Sequence, residues 1–137
     1  MILADTGPLV ALFDPADQDH KRCVALLKGI DEPLCTTIPV LTEAFHLLDP
    51  GSIGAQRLMD FVTGHGLNVW YLDDKFLIRM FELMVQYADH PMDLADASLV
   101  AYAVRLVRAT RPEDEEASTG DEASDGQTSE SKPPVCQ

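Results

Sequence analysis

Positive charge is scarce in this chain: 10 Lys and Arg stand against 23 Asp and Glu in 137 residues, a formal net charge of −13 at pH 7. A surface built to grip a polyanion by clustered basic residues is not visible in that balance. Cysteine is equally sparse. Cys23, Cys35 and Cys136 are odd in number and form no CxxC pair, which suggests neither a disulfide framework nor a zinc knuckle and suits a reducing compartment. No apolar run approaches the roughly 20 residues needed to cross a bilayer. The first residues, MILADTGPLVALFD, have no basic leader and carry Asp5 within the apolar stretch, so a cytoplasmic protein is expected. Internal repeats are also missing.

What is present is a hydrophobic fraction of 46%, enough for one modest core. The charge divides unevenly along the chain. Residues 1–110 hold 15 acidic and 8 basic residues, whereas residues 111–137 hold 8 and 2. That second stretch, RPEDEEASTGDEASDGQTSESKPPVCQ, has Val135 as its only aliphatic residue larger than Ala. It buries too little surface to offset chain entropy, so a domain over 1–110 followed by an acidic disordered tail over 111–137 is expected.

Within 1–110 the pattern alternates strand and helix. Ile2 to Asp5 reads as a strand, followed by a Thr-Gly-Pro turn with Pro8 in the first turn of a helix. His20, Cys23, Val24 and Leu27 recur at helical spacing and stop at Gly29. Leu34 to Ile38 reads as a second strand, and Pro39 opens a helix with an apolar face of Val40, Leu41, Ala44, Leu47 and Leu48. A helix over 53–63 ends at Gly64 and Gly66, and Asn68 to Leu72 reads as a third strand. Asp73 and Asp74 cap a helix with a Met and aromatic stripe from Phe76 to Tyr87, read most simply as core, and a last helix runs from Leu94 to Ala109. Such alternation implies right-handed crossovers and a short central parallel sheet flanked by helices, an α/β fold in three layers. Working groups in these folds gather at the carboxyl ends of the strands.

Asp5 stands at one such end. Its structural reading is an N-cap, shared with Thr6. Glu43 lies in the early turns of the helix after the second strand, where a solvated position is the ordinary outcome. Asp93 and Asp96 sit at i and i+3 in PMDLADASLVAYA, a spacing that also suits a capping box, with Asp93 the better cap and Asp96 the better ligand. The apolar run after Asp96 suggests that its carboxylate is held beside the core. Gathered at one place, Asp5, Glu43 and Asp96 repel one another and raise each other's pKa. A hard divalent cation, Mg²⁺ or Mn²⁺, relieves that repulsion, because the donor set is all oxygen. Such a site fits hydrolysis of phosphodiester bonds and supplies local positive charge in an acidic domain. His20, His46, His65 and His90 show no ligand spacing. Receiver and phosphoaspartyl phosphatase domains are disfavoured, since the former wants paired acids after strand one and the latter a second acid where Gly7 stands.

Three segments, ILADTGPLVALFD, TTIPVLTEAFHLL and PMDLADASLVAYA, in this order resemble a PIN domain, in particular the VapC-type toxin ribonucleases of toxin–antitoxin pairs. The resemblance spans residues 1 to about 109. It implies a Mg²⁺- or Mn²⁺-dependent endoribonuclease, usually a homodimer, acting on RNA and neutralised by a cognate antitoxin protein. It also implies Asp5, Glu43 and Asp96 as metal ligands, Asp93 as an additional catalytic acid, and Thr6 as the hydroxyl residue after the first acid. The family's closing strand and its acidic segment have no counterpart after Arg108, so the domain is expected to be C-terminally incomplete. The alternative is therefore a catalytically impaired PIN-like remnant that binds antitoxin or dimerises.

Overall fold

The computed structural model describes residues 1–110; the stretch 111–137, expected to be disordered, lies outside the described residues. Three short strands, β1 (Ile2–Leu3), β2 (Leu34–Thr37) and β3 (Asn68–Trp70), form a parallel sheet in the order β1-β2-β3. Ile2 faces Leu34 and Leu3 faces Cys35, while Cys35, Thr36 and Thr37 face Asn68, Val69 and Trp70. All four residues of β2 are buried, as expected of a central strand covered on both faces. Among the described residues β1 pairs only with β2.

Six helices connect and cover the strands: α1 (Thr6–Phe13), α2 (His20–Leu27), α3 (Ile38–Leu47), α4 (Ile53–Thr63), α5 (Asp74–Gln86) and α6 (Leu94–Ala109). Alternation along β2 assigns its side chains to two layers. Leu34 joins the larger core with Leu9, Val40, Leu41, Ala44, Leu58 and Leu67, contributed mainly by α1, α3 and α4. Cys35 and Thr37 meet Tyr102 and Ser98 of α6 instead. On that side a second cluster of Met80, Leu83, Ala97 and Ala101 joins α5 to α6. The three-layer α/β architecture read from the sequence is the observed one, and no helix of the described residues is long and apolar enough to cross a membrane.

Local details differ from the expected ones for identifiable reasons. The first helix starts at Thr6, two residues before Pro8, because Asp5 takes the capping position. Leu47 does not join the core face of α3 and is 55% exposed at the last turn, while Leu48 beyond it is buried. At the end of α4 the left-handed residue is His65 (φ 61°) and not either glycine. The Gly66 amide donates to the Phe61 carbonyl at 2.9 Å and the His65 amide to the Val62 carbonyl at 3.1 Å, the paired bonds of a Schellman ending. Gly66 is required for another reason: a Cβ there would lie 2.2 Å from the Phe61 ring. The stripe read as core on α5 is divided, since α5 packs chiefly on α6 and one partner covers one face. Met80 and Leu83 are buried, whereas Ile78, Phe81 and Val85 face outward.

Candidate functional site

Asp5 lies just past the carboxyl end of β1, where the Ala4 amide still bonds the Cys35 carbonyl at 2.8 Å. Its backbone is extended (φ −91°, ψ 171°), and its Oδ1 accepts from the Thr6 amide at 2.7 Å, which caps α1. The capping reading is therefore realised, and the positive end of the α1 dipole favours the charge. The Asp5 side chain remains exposed to solvent beyond the cap.

Thr6 is buried and spans the distance to the next acid: its Oγ1 donates to Glu43 Oε2 at 2.7 Å. Glu43 stands in the middle of α3 and is half-buried. It occupies neither end of its helix, so the dipole does nothing for it, and the Thr6 hydroxyl is its one protein hydrogen bond among the described residues. Glu43, His46 and Asp93 line a groove of about 560 Å³ between α3 and the start of α6.

Asp93 caps α6, accepting from the Asp96 amide at 2.9 Å. The backbone N–H of Asp93 in turn favours the charged Asp96 carboxylate, the sense in which a capping box works, although only the Asp96-to-Asp93 hydrogen bond is formed. Asp96 is not held in the core as its neighbours suggested. Ala95, Ala97 and Ser98 are buried, and the helical rotation between them turns Asp96 outward, where it is exposed. Its carboxyl is nevertheless raised above the ordinary value of 3.8, first by partial desolvation and then by the negative charges of Asp93, Asp5 and Glu43. The Asp93 amide works in the opposite direction. Acids from three distant chain segments thus bear on the Asp96 carboxyl at the carboxyl edge of the sheet.

Two buried hydroxyl contacts that sequence reasoning passed over hold the elements in place. Thr37, the residue that enters α3, shares a hydrogen bond with Ser98 of α6, and Ser98 also donates to the Ala95 carbonyl at 2.7 Å. The Thr36 hydroxyl donates to the Ala4 carbonyl at 2.8 Å, tying the β1 end to β2. The signal was available: two threonines closing a buried strand, and a serine inside an alanine-rich helix. A hydroxyl in such a place needs a partner.

The acids form an all-oxygen donor set of the kind hard cations take. Among the described residues, however, no three His, Cys, Asp or Glu side chains are arranged closely enough to enclose an ion by themselves. Mg²⁺ is ordinarily held by one or two carboxylates, with waters and substrate phosphate completing its shell. The donor chemistry therefore fits a hydrated cation, and a cage of three direct protein ligands is absent.

No protein-family model matches the chain. No curated protein sequence matches it either. Among solved structures it is similar to VapC20 of Mycobacterium tuberculosis, described as a toxin that cleaves the sarcin–ricin loop. The TM-score is 0.71 at 19% identity, with 78% of this chain and 84% of that chain covered. At that identity the likeness is one of fold: the chain has the PIN-type α/β architecture that this toxin has.

Proposed function

We propose, from the PIN fold that the chain shares with a VapC toxin, that it is a cytoplasmic Mg²⁺- or Mn²⁺-dependent endoribonuclease, the toxin of a type II toxin–antitoxin pair. The observation that carries the reading is the convergence of Asp5, Glu43 and Asp93 on the carboxyl of Asp96. The acids come from three chain segments, the end of β1, the middle of α3 and the start of α6, and a shared cation relieves the repulsion of their meeting. Asp5, Glu43 and Asp96 would hold the cation, which would supply polarisation of the phosphoryl oxygen and a lowered pKa for the attacking water.

The chain's own residues do the positioning. Thr6 fixes the rotamer of Glu43, and the Thr37–Ser98 bond holds the start of α3 against α6, on which Asp96 stands. Asp5 and Asp96 are the acids nearest solvent and would hold the hydrated cation, and Glu43 is the half-buried one. Asp93 acts first as the cap that orders the turn carrying Asp96, and it also lines the groove. The exposed stripe of Ile78, Phe81 and Val85 on α5 suits a second copy of the chain or an antitoxin segment.

The open arrangement of the acids favours a second reading, a PIN-like remnant that binds antitoxin or dimerises without cleaving. One titration separates the two. Added Mn²⁺ is expected to raise the melting temperature of the wild type and to switch on RNA cleavage, because a ligand that binds only the folded state stabilises it. Asp5→Asn is expected to lose both effects while melting no lower than the wild type in EDTA. Neither stabilisation nor cleavage at millimolar Mn²⁺ would leave the remnant reading in place.

A further inference from the structure

The basic residues that look dispersed in the sequence are not dispersed in space. Of the eight Lys and Arg in residues 1–110, four meet at one groove of about 500 Å³ between α5 and α6: Lys75, Arg79, Arg105 and Arg108. Lys75 and Arg79 are one turn apart on α5, and Arg105 and Arg108 one turn apart on α6. Cations therefore line both walls, and Phe76, Ala101 and Val104 supply an apolar floor. Glu82 pairs with Arg79 at 2.9 Å at the rim.

Arg105 is held in place by aromatic packing. Its guanidinium carbon lies 5.0 Å from the Phe76 ring centre and 5.3 Å from that of Trp70. Trp70 is itself fixed edge-on against Phe76 at 4.3 Å and stacked on Tyr102 at 4.5 Å. A guanidinium ordered before binding loses less entropy when it meets an anion. The groove also shares α6 with the candidate site. Arg105 and Arg108 lie nine and twelve residues beyond Asp96, about 14 to 18 Å along the helix.

We infer that the groove between α5 and α6 binds the backbone of single-stranded RNA, gripping the strand at a distance from the acidic cluster. Two facing rows of cations over an apolar, aromatic-edged floor suit a flexible polyanion that also carries stackable bases. They suit a compact anion less well. The placement also resolves the charge problem of an acidic domain acting on RNA, because half of its cations stand on one face. The choice of RNA among polyanions rests on the nuclease reading, but the groove can be tested without cleavage.

The test is binding of a labelled single-stranded RNA of about 12 nucleotides to the full chain in EDTA, across a series of salt concentrations. Arg105→Gln with Arg108→Gln is expected to weaken binding by roughly tenfold or more and to reduce the slope of log affinity against log salt by about 1.4. Since Arg105 also packs on two rings, Lys75→Gln with Arg108→Gln, one cation from each wall, serves as a second variant and is expected to lose affinity similarly. Lys28→Gln with Arg57→Gln, removing equal charge elsewhere, is expected to bind as the wild type. Equal loss in that control, or unchanged binding in both groove variants, would overturn the inference. Competition by polyglutamate as effective as that by unlabelled RNA would show a groove that reads charge alone, and would overturn it too. RNA binding that depends on the groove without any metal-dependent cleavage would count against the nuclease reading and leave the groove standing.

Discussion

A half-buried glutamate in mid-helix gains nothing from the helix dipole, and Glu43 is in that position while Asp5, Asp93 and Asp96 all sit at helix starts. The three aspartates have a structural use as caps, which is why no one of them identifies a site by itself. Asp96 is set apart by the effect of its neighbours on it. Asp96, raised above its ordinary pKa, is a group whose charged form the folded state disfavours. It binds more protons folded than unfolded, so its contribution to stability is fully present below 3.8 and is lost as pH rises through its raised folded value. Asp96→Asn is therefore expected to keep or raise the melting temperature in EDTA at pH 7, while metal-dependent cleavage falls below detection. Asp93→Asn is expected to retain more cleavage, because asparagine caps a helix as well as aspartate does. Equal loss in the two variants would move Asp93 among the metal's own ligands. Ser98→Ala leaves the buried Thr37 hydroxyl without its partner and is expected to cost about 1 to 3 kcal/mol. Calorimetric melting checks this, and Thr37→Val added to Ser98→Ala is expected to recover much of the loss, since both polar groups are then gone.

At the scale of elements, turn chemistry and capping were readable in advance. Asp73 accepts from the Phe76 amide at 2.9 Å and starts α5 where Asp-Asp precedes the apolar stripe. Helix α4 occupies residues 53–63 as its apolar spacing implies. Its ending was legible only in part, because Gly64 and Gly66 advertise a stop without saying which residue turns left-handed. His65 does, at φ 61°, a conformation that costs a residue with a Cβ about 1 kcal/mol or more. His65→Gly is expected to raise the melting temperature by several degrees for a domain of this size. A fall would mean that the imidazole makes a contact worth more than the strain. The α5 stripe was the least legible element, since periodicity shows that residues share a face but not how much of that face a neighbour covers. For α5 the main neighbour is α6, so Met80 is fully buried and Val85 is 76% exposed.

At the scale of the molecule, the order of strands and helices sufficed to place the three acids at one edge of a parallel sheet. Asp5 and Glu43 were candidates because each follows a strand, and the order of the three segments carried the resemblance that the structural likeness to a VapC toxin supports at the level of fold. The distribution of positive charge could not be read. Lys75, Arg79, Arg105 and Arg108 come from two segments about thirty residues apart, and only the packing of α5 on α6 makes them neighbours. The buried Thr37–Ser98 bond was hidden for the same reason, its partners being 61 residues apart. Overall negative charge likewise concealed a domain whose acids and cations are gathered at separate places along α6.

The central claim is that Asp5, Glu43 and Asp96 share one divalent cation, and crystals grown with Mn²⁺ test it by the ion's anomalous scattering. The account predicts a single strong peak at the carboxyl edge of the sheet, bonded to oxygens of Asp96 and Asp5 with Glu43 in its shell, and no such peak in crystals of Asp5→Asn. A well-ordered wild-type crystal in saturating Mn²⁺ with no peak among those three carboxylates would contradict it.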